Sequence, residues 1–354
     1  MRHSKKTLNK RLKAIAITFL TGAAMLLLSS CGNSPRQLAI EEISARYSVP
    51  EEKRLIVYTS HKEEVYLPII REFEDRTGIW VELHAGGTAE MISQVKEASE
   101  NGACDIMFGG GIESYEAQKD LFMPYETGDK PILDENYLDA DNYWTPFTEL
   151  PIVFVYNKKL VSYSEVPRSW EQLFDTKWKG KIAFADLAMS GTSYTIISTM
   201  EQLFNEEPES LVPRFYEQLE GKVLGSSGDI IPQVSDGKFL VGITLEETAK
   251  KAIDQGYDIT MIYPEDGTSA VPDGCAVVRN APHSYNAGKF IDFVVSHDTQ
   301  QFACDNFYRR SVRTDLNRST DSGLKQISFD IRKSAQEEME VFSLWNAMTG
   351  QEGE

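Results

Sequence analysis

From Leu55 onward, short apolar runs alternate with longer stretches in which apolar residues recur every three or four positions, and small turn-forming residues separate the two. Leu55, Ile56, Val57 and Tyr58 are a run of strand formers with almost no polar interruption, as expected of a strand covered on both faces. Thr59, Ser60 and His61 turn the chain into a helix with Val65, Ile69 and Phe73 on one face, and Thr77-Gly78 supplies its stop. Pro68 lies inside that helix, where it removes a hydrogen bond and is expected to bend the first turns. Ile79, Val81 and Leu83 then alternate with Trp80 and Glu82 as a second strand. Parallel strands joined by a helix cross over right-handedly, which puts the Ser60-His61 turn at the carboxyl edge of the sheet, where open α/β sheets bind ligands. The helix start beyond it presents unpaired N–H groups and a positive dipole end to an anion.

The same punctuation recurs. His84-Ala85-Gly86-Gly87 leads to Thr88 as an expected N-cap, with a helix through Met91, Ile92 and Val95. Ala103 to Phe108 is a third strand, running into Gly109-Gly110-Gly111 before a helix at Ile112. One such turn needs nothing beyond tight geometry, but three at one sheet edge point to a ligand cleft. Leu121 to Asn142 is acidic and loop-rich, and Trp144 to Phe147 reads as an aromatic wall or a core corner. The strand Pro151 to Asn157 opens a second block, in which Trp178 to Phe184 leads into Ser190-Gly191-Thr192-Ser193-Tyr194 and an apolar helix. A plain N-cap needs one hydroxyl; four hydroxyl groups in five residues suit an anion cradle. Gly225-Ser226-Ser227-Gly228 repeats the theme, and the strand Phe239 to Thr244 delivers Leu245, Glu246 and Glu247 to another edge. Tyr257 to Tyr263 and Cys275 to Val278 are further strands, and Ala287 to Val295 is an amphipathic helix. Arg309, Arg310 and Arg313 read as structural ion pairs or a solvated face. The expected fold is α/β with two lobes, each a mostly parallel sheet flanked by helices, joined by hinge strands. Lobe 1 is expected over 54–150, lobe 2 over 151–263, a return to lobe 1 over 264–310, and a C-terminal helical segment over 311–354.

The N-terminus changes the setting. Residues 1–13 carry six basic residues and no acid, and Ala14 to Leu28 is a predominantly apolar run of fifteen residues, which is a secretory signal too short for a comfortable membrane span. Leu28-Ser29-Ser30-Cys31 closes it, and polar, acidic residues to Lys53 read as a tether over 31–53. The whole chain has a formal net charge of −18, which becomes more negative once the basic residues of 1–30 are removed. Such a body is a poor partner for nucleic acid or anionic lipid. Cys104, Cys275 and Cys304 cannot all pair with one another, and with no CxxC or His/Cys cluster a structural zinc site is not expected. No cofactor is implied. His61, Ser190 and Asp105 are the only candidates for a nucleophilic triad, and no GxSxG elbow supports them. His84, His283 and His297 sit in polar surroundings and read as surface residues.

Several stretches together resemble the ferric-ion branch of bacterial solute-binding lipoproteins of ABC importers, which also holds 2-aminoethylphosphonate and hexose-phosphate binders. They are Val57 to His61, Phe73-Glu74 with Thr77-Gly78, Val155-Tyr156-Asn157, Trp178 to Ile182, Ser190 to Tyr194, Tyr263-Pro264-Glu265 with Gly267-Thr268, and Ser311 to Asp315, in the family's order. Leu28 to Cys31 resembles a lipobox, which implies acylation of Cys31 and a lipid-anchored, extracytoplasmic protein at the cell membrane. The resemblance implies a two-lobe type II periplasmic binding fold, expected as a monomer, that closes on a solute and hands it to a permease. A ligand-presenting partner of a membrane sensor is the other arrangement. Ferric members hold iron with adjacent tyrosines where this chain has Glu246 and Glu247. Paired phenolates are thus missing, and direct iron binding through His61, Glu246 and Glu247 becomes the alternative. The main expectation is a small anionic solute of phosphonate or sugar-phosphate type. Ser60, His61, Gly87, Thr88, Ser190, Gly191, Thr192, Ser193 and Ser227 are its candidate donors, with Glu246 left for an amine or sugar hydroxyls.

Overall fold

A computed structural model describes residues 48–316 and 323–350. The expected signal peptide, Cys31 and most of the expected tether lie outside the described residues. The chain enters through a 3-10 turn, Glu51–Lys53, which His283 and Asn286 hold by contacts to Glu51 Oε1 (3.0 Å) and the Glu52 carbonyl (3.2 Å). The last residues of the expected tether are therefore docked.

The first unit is β1 (Arg54–Thr59), α1 (Glu63–Thr77), β2 (Trp80–Ala85), α2 (Thr88–Asn101), β3 (Ile106–Gly111) and α3 (Ile112–Ala117). β1 pairs in parallel with both β2 and β3, with Val57 opposite Leu83 and Ile106. α1 buries Val65, Ile69 and Phe73 and runs through Pro68; Gly78 closes it at φ 64° with its N–H on the Glu74 carbonyl. After β4 (Phe122–Met123) and β5 (Thr145–Glu149) the chain crosses through Leu150-Pro151 into β6 (Ile152–Asn157). It continues through β7 (Ile182–Ala183), α4 (Gly191–Phe204), α5 (Pro208–Leu219), α6 (Ile230–Ser235), β8 (Val241–Leu245), α7 (Glu246–Asp254) and β9 (Ile259–Ile262). β10 (Pro272–Val278) returns to the first sheet, followed by α8 (Ser284–Val295), α9 (His297–Phe307), β11 (Arg310–Ser311) and α10 (Ile331–Thr349).

Among the described residues a seven-stranded sheet has the order β11-β5-β10-β3-β1-β2, with β4 also on β10, and a four-stranded sheet has the order β7-β8-β6-β9. Both sheets are mixed, which corrects the expected mostly parallel arrangement. β1, β2 and β3 are parallel, as are β7 and β8, but β10 runs antiparallel to β3, β4 and β5, and β6 antiparallel to β8 and β9. The reason is the crossing between sheets. β10 comes back from the second sheet and enters at the carboxyl edge of β3, so it can only run the other way, and runs of apolar residues do not encode that direction.

The large sheet packs Phe73, Phe108, Phe147 and Phe290 into one core and Met91, Val95 and Met107 into another on its opposite face. Trp144 and Phe147 are core residues. The small sheet buries Phe154, Trp170, Phe184 and Phe215. Val341 and Trp345 of α10 belong to that same core, so the C-terminal helix is an integral layer of the second lobe.

Where α10 meets α4, Glu201 is fully buried and neither of its carboxyl oxygens has a hydrogen-bond partner. Burial pushes its pKa up to about 8, and the nearby Glu337 adds to the rise. A carboxyl raised from an ordinary unfolded value makes its full contribution to stability below about pH 4.5, and that contribution falls as pH rises to about 8. Urea unfolding of Glu201→Gln is expected to show a flatter decline over that window than the parent chain; equal slopes would show that Glu201 is ionised in the fold.

Candidate functional site

Three turns at the carboxyl ends of β1, β2 and β3 meet the amino ends of α4 and α7 around a cavity of about 300 Å³. From the large sheet come Ser60, His61 and Lys62 before α1, Gly87 and Thr88 at the start of α2, and Gly110 and Gly111 before α3. From the small sheet come Ser190, Gly191, Thr192 and Thr195 of α4, Ser226 to Gly228, and Thr244, Leu245, Glu247 and Thr248 around the start of α7. Asp273 and Arg309 form its floor.

Local sequence explains the placement. Gly110 has φ 89°, and a Cβ there would lie 2.8 Å from the Thr88 methyl, so glycine lets β3 end against α2. The N-cap of α2 is Gly87, not Thr88; Thr88 is the first helical residue and lines the cavity without capping the helix. Ser190 does cap α4, accepting from the Ser193 N–H at 3.3 Å. Gly191 closes the distance between the lobes, since a Cβ on it would lie 3.1 Å from Thr88 Oγ1. Helix starts α1, α2, α4 and α7 thus converge on one space with a dense set of hydroxyls. Their N–H groups and dipole ends favour negative charge there.

The floor was not foreseen. Asp273 accepts from the Thr148 N–H (2.8 Å), from Thr148 Oγ1 (2.9 Å) and from Arg309 Nη1. Arg309 was expected in a structural ion pair, and it is in one, but it also lines the cavity with a buried Nε–H that has no partner. His61 Nδ1 lies 3.6 Å from Asp273, and its Nε2 is buried and unpartnered. Burial pushes the imidazole pKa down to about 3, against the pull of Asp273, so His61 is neutral and adds no positive charge. Among the described residues, the only exposed cation on the wall is Lys62, and the acidic side chain there besides Asp273 is Glu247, so net charge near the site is close to balanced.

Nine of the expected site residues other than Glu246 and Ser193 are accounted for on this wall: Ser60, His61, Gly87, Thr88, Ser190, Gly191, Thr192, Ser227 and Glu247. Ser193 is buried behind it and contributes its N–H to the Ser190 cap. Glu246 is also behind the wall. Its carboxylate accepts from Arg310 Nε (2.6 Å) and Nη2 (2.9 Å), from Lys250 (2.6 Å) and from the Tyr263 hydroxyl. Burial pushes this carboxyl up, and those donors more than offset it and hold it below the ordinary range. Glu246 therefore ties α7 to β11 and is not positioned to meet a solute, which corrects its reading as a ligand residue. Sequence spacing could not show this, because Arg310 arrives from 64 residues away.

The supposed triad does not assemble. Asp105 sits at the amino end of β3, where it accepts from the Ile56 N–H and binds His283 Nδ1 at 2.7 Å. His283 is thereby buried between Asp105 and Glu51, which corrects its assignment to the surface. Cys104, Cys275 and Cys304 are free thiols. Among the described residues no three His, Cys, Asp or Glu side chains are grouped to hold a metal ion, and no helix is long and apolar enough to cross a membrane.

The model of the bacterial extracellular solute-binding protein family matches residues 105–330. The chain belongs to this family. It is a binding protein of the ABC-importer type and not an enzyme. Among its relatives, iron uptake protein A1 of Synechocystis sp. is 27% identical over 318 residues, 84% of this chain and 85% of its own length. A putative 2-aminoethylphosphonate-binding periplasmic protein of Salmonella typhi is 22% identical over 254 residues, 69% of this chain and 73% of its own. The solved structure of the periplasmic binding protein AfuA from Actinobacillus pleuropneumoniae, with fructose 6-phosphate bound, superposes with a TM-score of 0.76. At 22% identity it covers 84% of this solute-binding protein and 99% of AfuA, and it establishes the shared two-lobe type II fold.

Proposed function

We propose that the protein captures a small phosphorylated or phosphonylated solute in this cavity and passes it to the permease of an ABC importer. The observation that carries the reading is the convergence of four helix starts with the hydroxyls of Ser60, Thr88, Ser190 and Thr192 on one space. Such a wall stabilises an anion chiefly through helix N–H groups and hydroxyls, with Lys62 as its exposed cation and Arg309 already paired with Asp273. Neutral His61 and the Glu247 carboxylate suit the uncharged or amine-bearing remainder of the solute. In the same proposal Cys31 is acylated and becomes the first residue of the mature protein once residues 1–30 are removed, and the monomeric body works on the outer side of the membrane to which that lipid holds it.

A thermal-shift screen of the mature chain against 2-aminoethylphosphonate, fructose 6-phosphate, inorganic phosphate, ferric ion and ferric citrate tests it. A solute at a hundredfold excess over its Kd adds about 2.7 kcal/mol to native stability, a shift that is easily read. Ser190→Ala costs the α4 cap as well as a donor, so affinity is better tested with Thr88→Val combined with Thr192→Val. Each charge-assisted hydrogen bond is worth about 1.5–3 kcal/mol, and the double variant is expected to bind the anion at least a hundredfold more weakly at nearly unchanged melting temperature. Unchanged affinity would place the anion elsewhere.

The likeness to an iron uptake protein favours iron as the second reading. The cavity wall holds His61 and Glu247, with Glu246 engaged by Arg310, so iron would have to arrive with its own chelating anion. A shift with ferric citrate and none with any phosphorus compound, lost in Glu247→Ala, would establish it.

A further inference from the structure

On the reading that the cavity takes an anion, we infer that Glu113 is a positioning residue behind its wall: solute capture loads one proton from bulk water onto the Glu113 carboxyl, and the Thr195 hydroxyl then turns its own proton to the bound anion.

Thr195 lines the cavity, and its Oγ1 lies 2.5 Å from Glu113 Oε1 and 3.2 Å from the Gly191 carbonyl. A hydroxyl has one proton to give. An ionised Glu113 is acceptor-only and takes that proton, so Thr195 offers the cavity lone pairs, which repel an anion. A neutral Glu113 donates to Thr195 Oγ1 instead and frees the hydroxyl proton for the solute. One residue therefore decides whether this part of the wall rejects or accepts negative charge.

The surroundings set the balance near neutrality. Glu113 is 1% exposed and its Oε2 has no partner. That oxygen lies against Gly111 of the cavity wall, where a Cβ would come within 2.2 Å of it. The titratable groups facing Glu113 are Glu338 of α10 and the Tyr194 phenol of α4, neither of which supplies positive charge. Glu338 is held by Ser114 Oγ at 3.4 Å on the other side. Its place in the first turn of α3 favours an ionised Glu113, but burial outweighs this and raises the carboxyl to about 7, with the Thr195 hydrogen bond opposing. Glu338 is likewise raised to about 7, by burial and then by the charge of Glu113. An anion arriving beyond Gly111 disfavours the charged form further, so above neutral pH capture and proton uptake are linked.

Isothermal titration of the full mature chain with 2-aminoethylphosphonate and with fructose 6-phosphate, at pH 6 to 9 and in two buffers of different ionisation enthalpy, tests the link. The expected result is uptake of close to one proton per solute bound at pH 8, with Kd weakening by up to about tenfold per pH unit above neutrality. Glu113→Gln is expected to abolish the uptake and flatten the profile, whereas Glu338→Gln keeps both. Should Glu113→Gln fail to fold, Thr195→Val serves. It is expected to lose about tenfold in affinity at pH 6, the worth of one hydrogen bond, and less at pH 9, where part of the complex leaves Glu113 ionised and the hydroxyl proton engaged by it. Binding without proton uptake, uptake that persists in Glu113→Gln, or equal losses in Thr195→Val at both pH values would each overturn the role of Glu113 and leave the anion reading standing. Absence of binding by both compounds at every pH removes the anion reading and this inference with it.

Discussion

Asp273→Ala is expected to lower the unfolding free energy by about 3–5 kcal/mol, the usual result of removing one partner from a buried ion pair. Asp273 is 1% exposed and accepts from both the N–H and the hydroxyl of Thr148 as well as from Arg309. Without it the Arg309 guanidinium keeps only its 2.8 Å bond to Thr148 Oγ1 in a site where its Nε–H already lacks a partner. The desolvation of that cation is then uncompensated, and this is where most of the loss arises. Asp273→Asn keeps an acceptor for Thr148 and removes the charge, so it should lose less. Urea unfolding would show a lower midpoint at unchanged m-value. A loss under about 1 kcal/mol would mean that solvent from the cavity rehydrates Arg309.

The second large effect is expected at the C-terminal helix. Trp345 is fully buried, sets its ring edge-on to Phe184 at 5.7 Å and Tyr216 at 5.5 Å, and donates its Nε1–H to Asp186 at 3.2 Å. Trp345→Ala should cost about 3–5 kcal/mol, the range for truncating a large core aromatic. Because Trp345 and Val341 are the residues of α10 buried in the second lobe, the loss should appear as release of that helix before global unfolding. Hydrogen exchange would then speed up over Ile331–Thr349 ahead of the small sheet. Uniform acceleration across the lobe would mean that α10 and the sheet unfold as one cooperative unit.

These two sites mark where linear pattern stops being informative. The strand-turn-helix repeats were legible because each is local: Val65, Ile69 and Phe73 recur at helical spacing, and Gly78 stops the helix where its left-handed φ requires. The cleft was largely legible for the same reason. In a βαβ unit the turn after each strand must fall at one sheet edge, so Ser60, Thr88 and Gly110 are brought together by topology alone.

What the amino-acid sequence determined by itself is thus the family, the α/β class and the rim of hydroxyls and glycines, all set by short-range periodicity and turn chemistry. Only the tertiary structure decided strand direction, since β10 runs antiparallel as a consequence of returning from the other lobe. It also decided which charges meet. Glu246 and Glu247 are adjacent in sequence, yet a helix start points neighbouring side chains about 100° apart, so one joins Arg310 and the other faces the cavity. Arg309 and Asp273, 36 residues apart, become the floor, and Glu113 and Thr195, 82 apart, become neighbours behind the wall. Electrostatic partners of this kind are chosen by distance in space, and no local rule of composition or period carries that information.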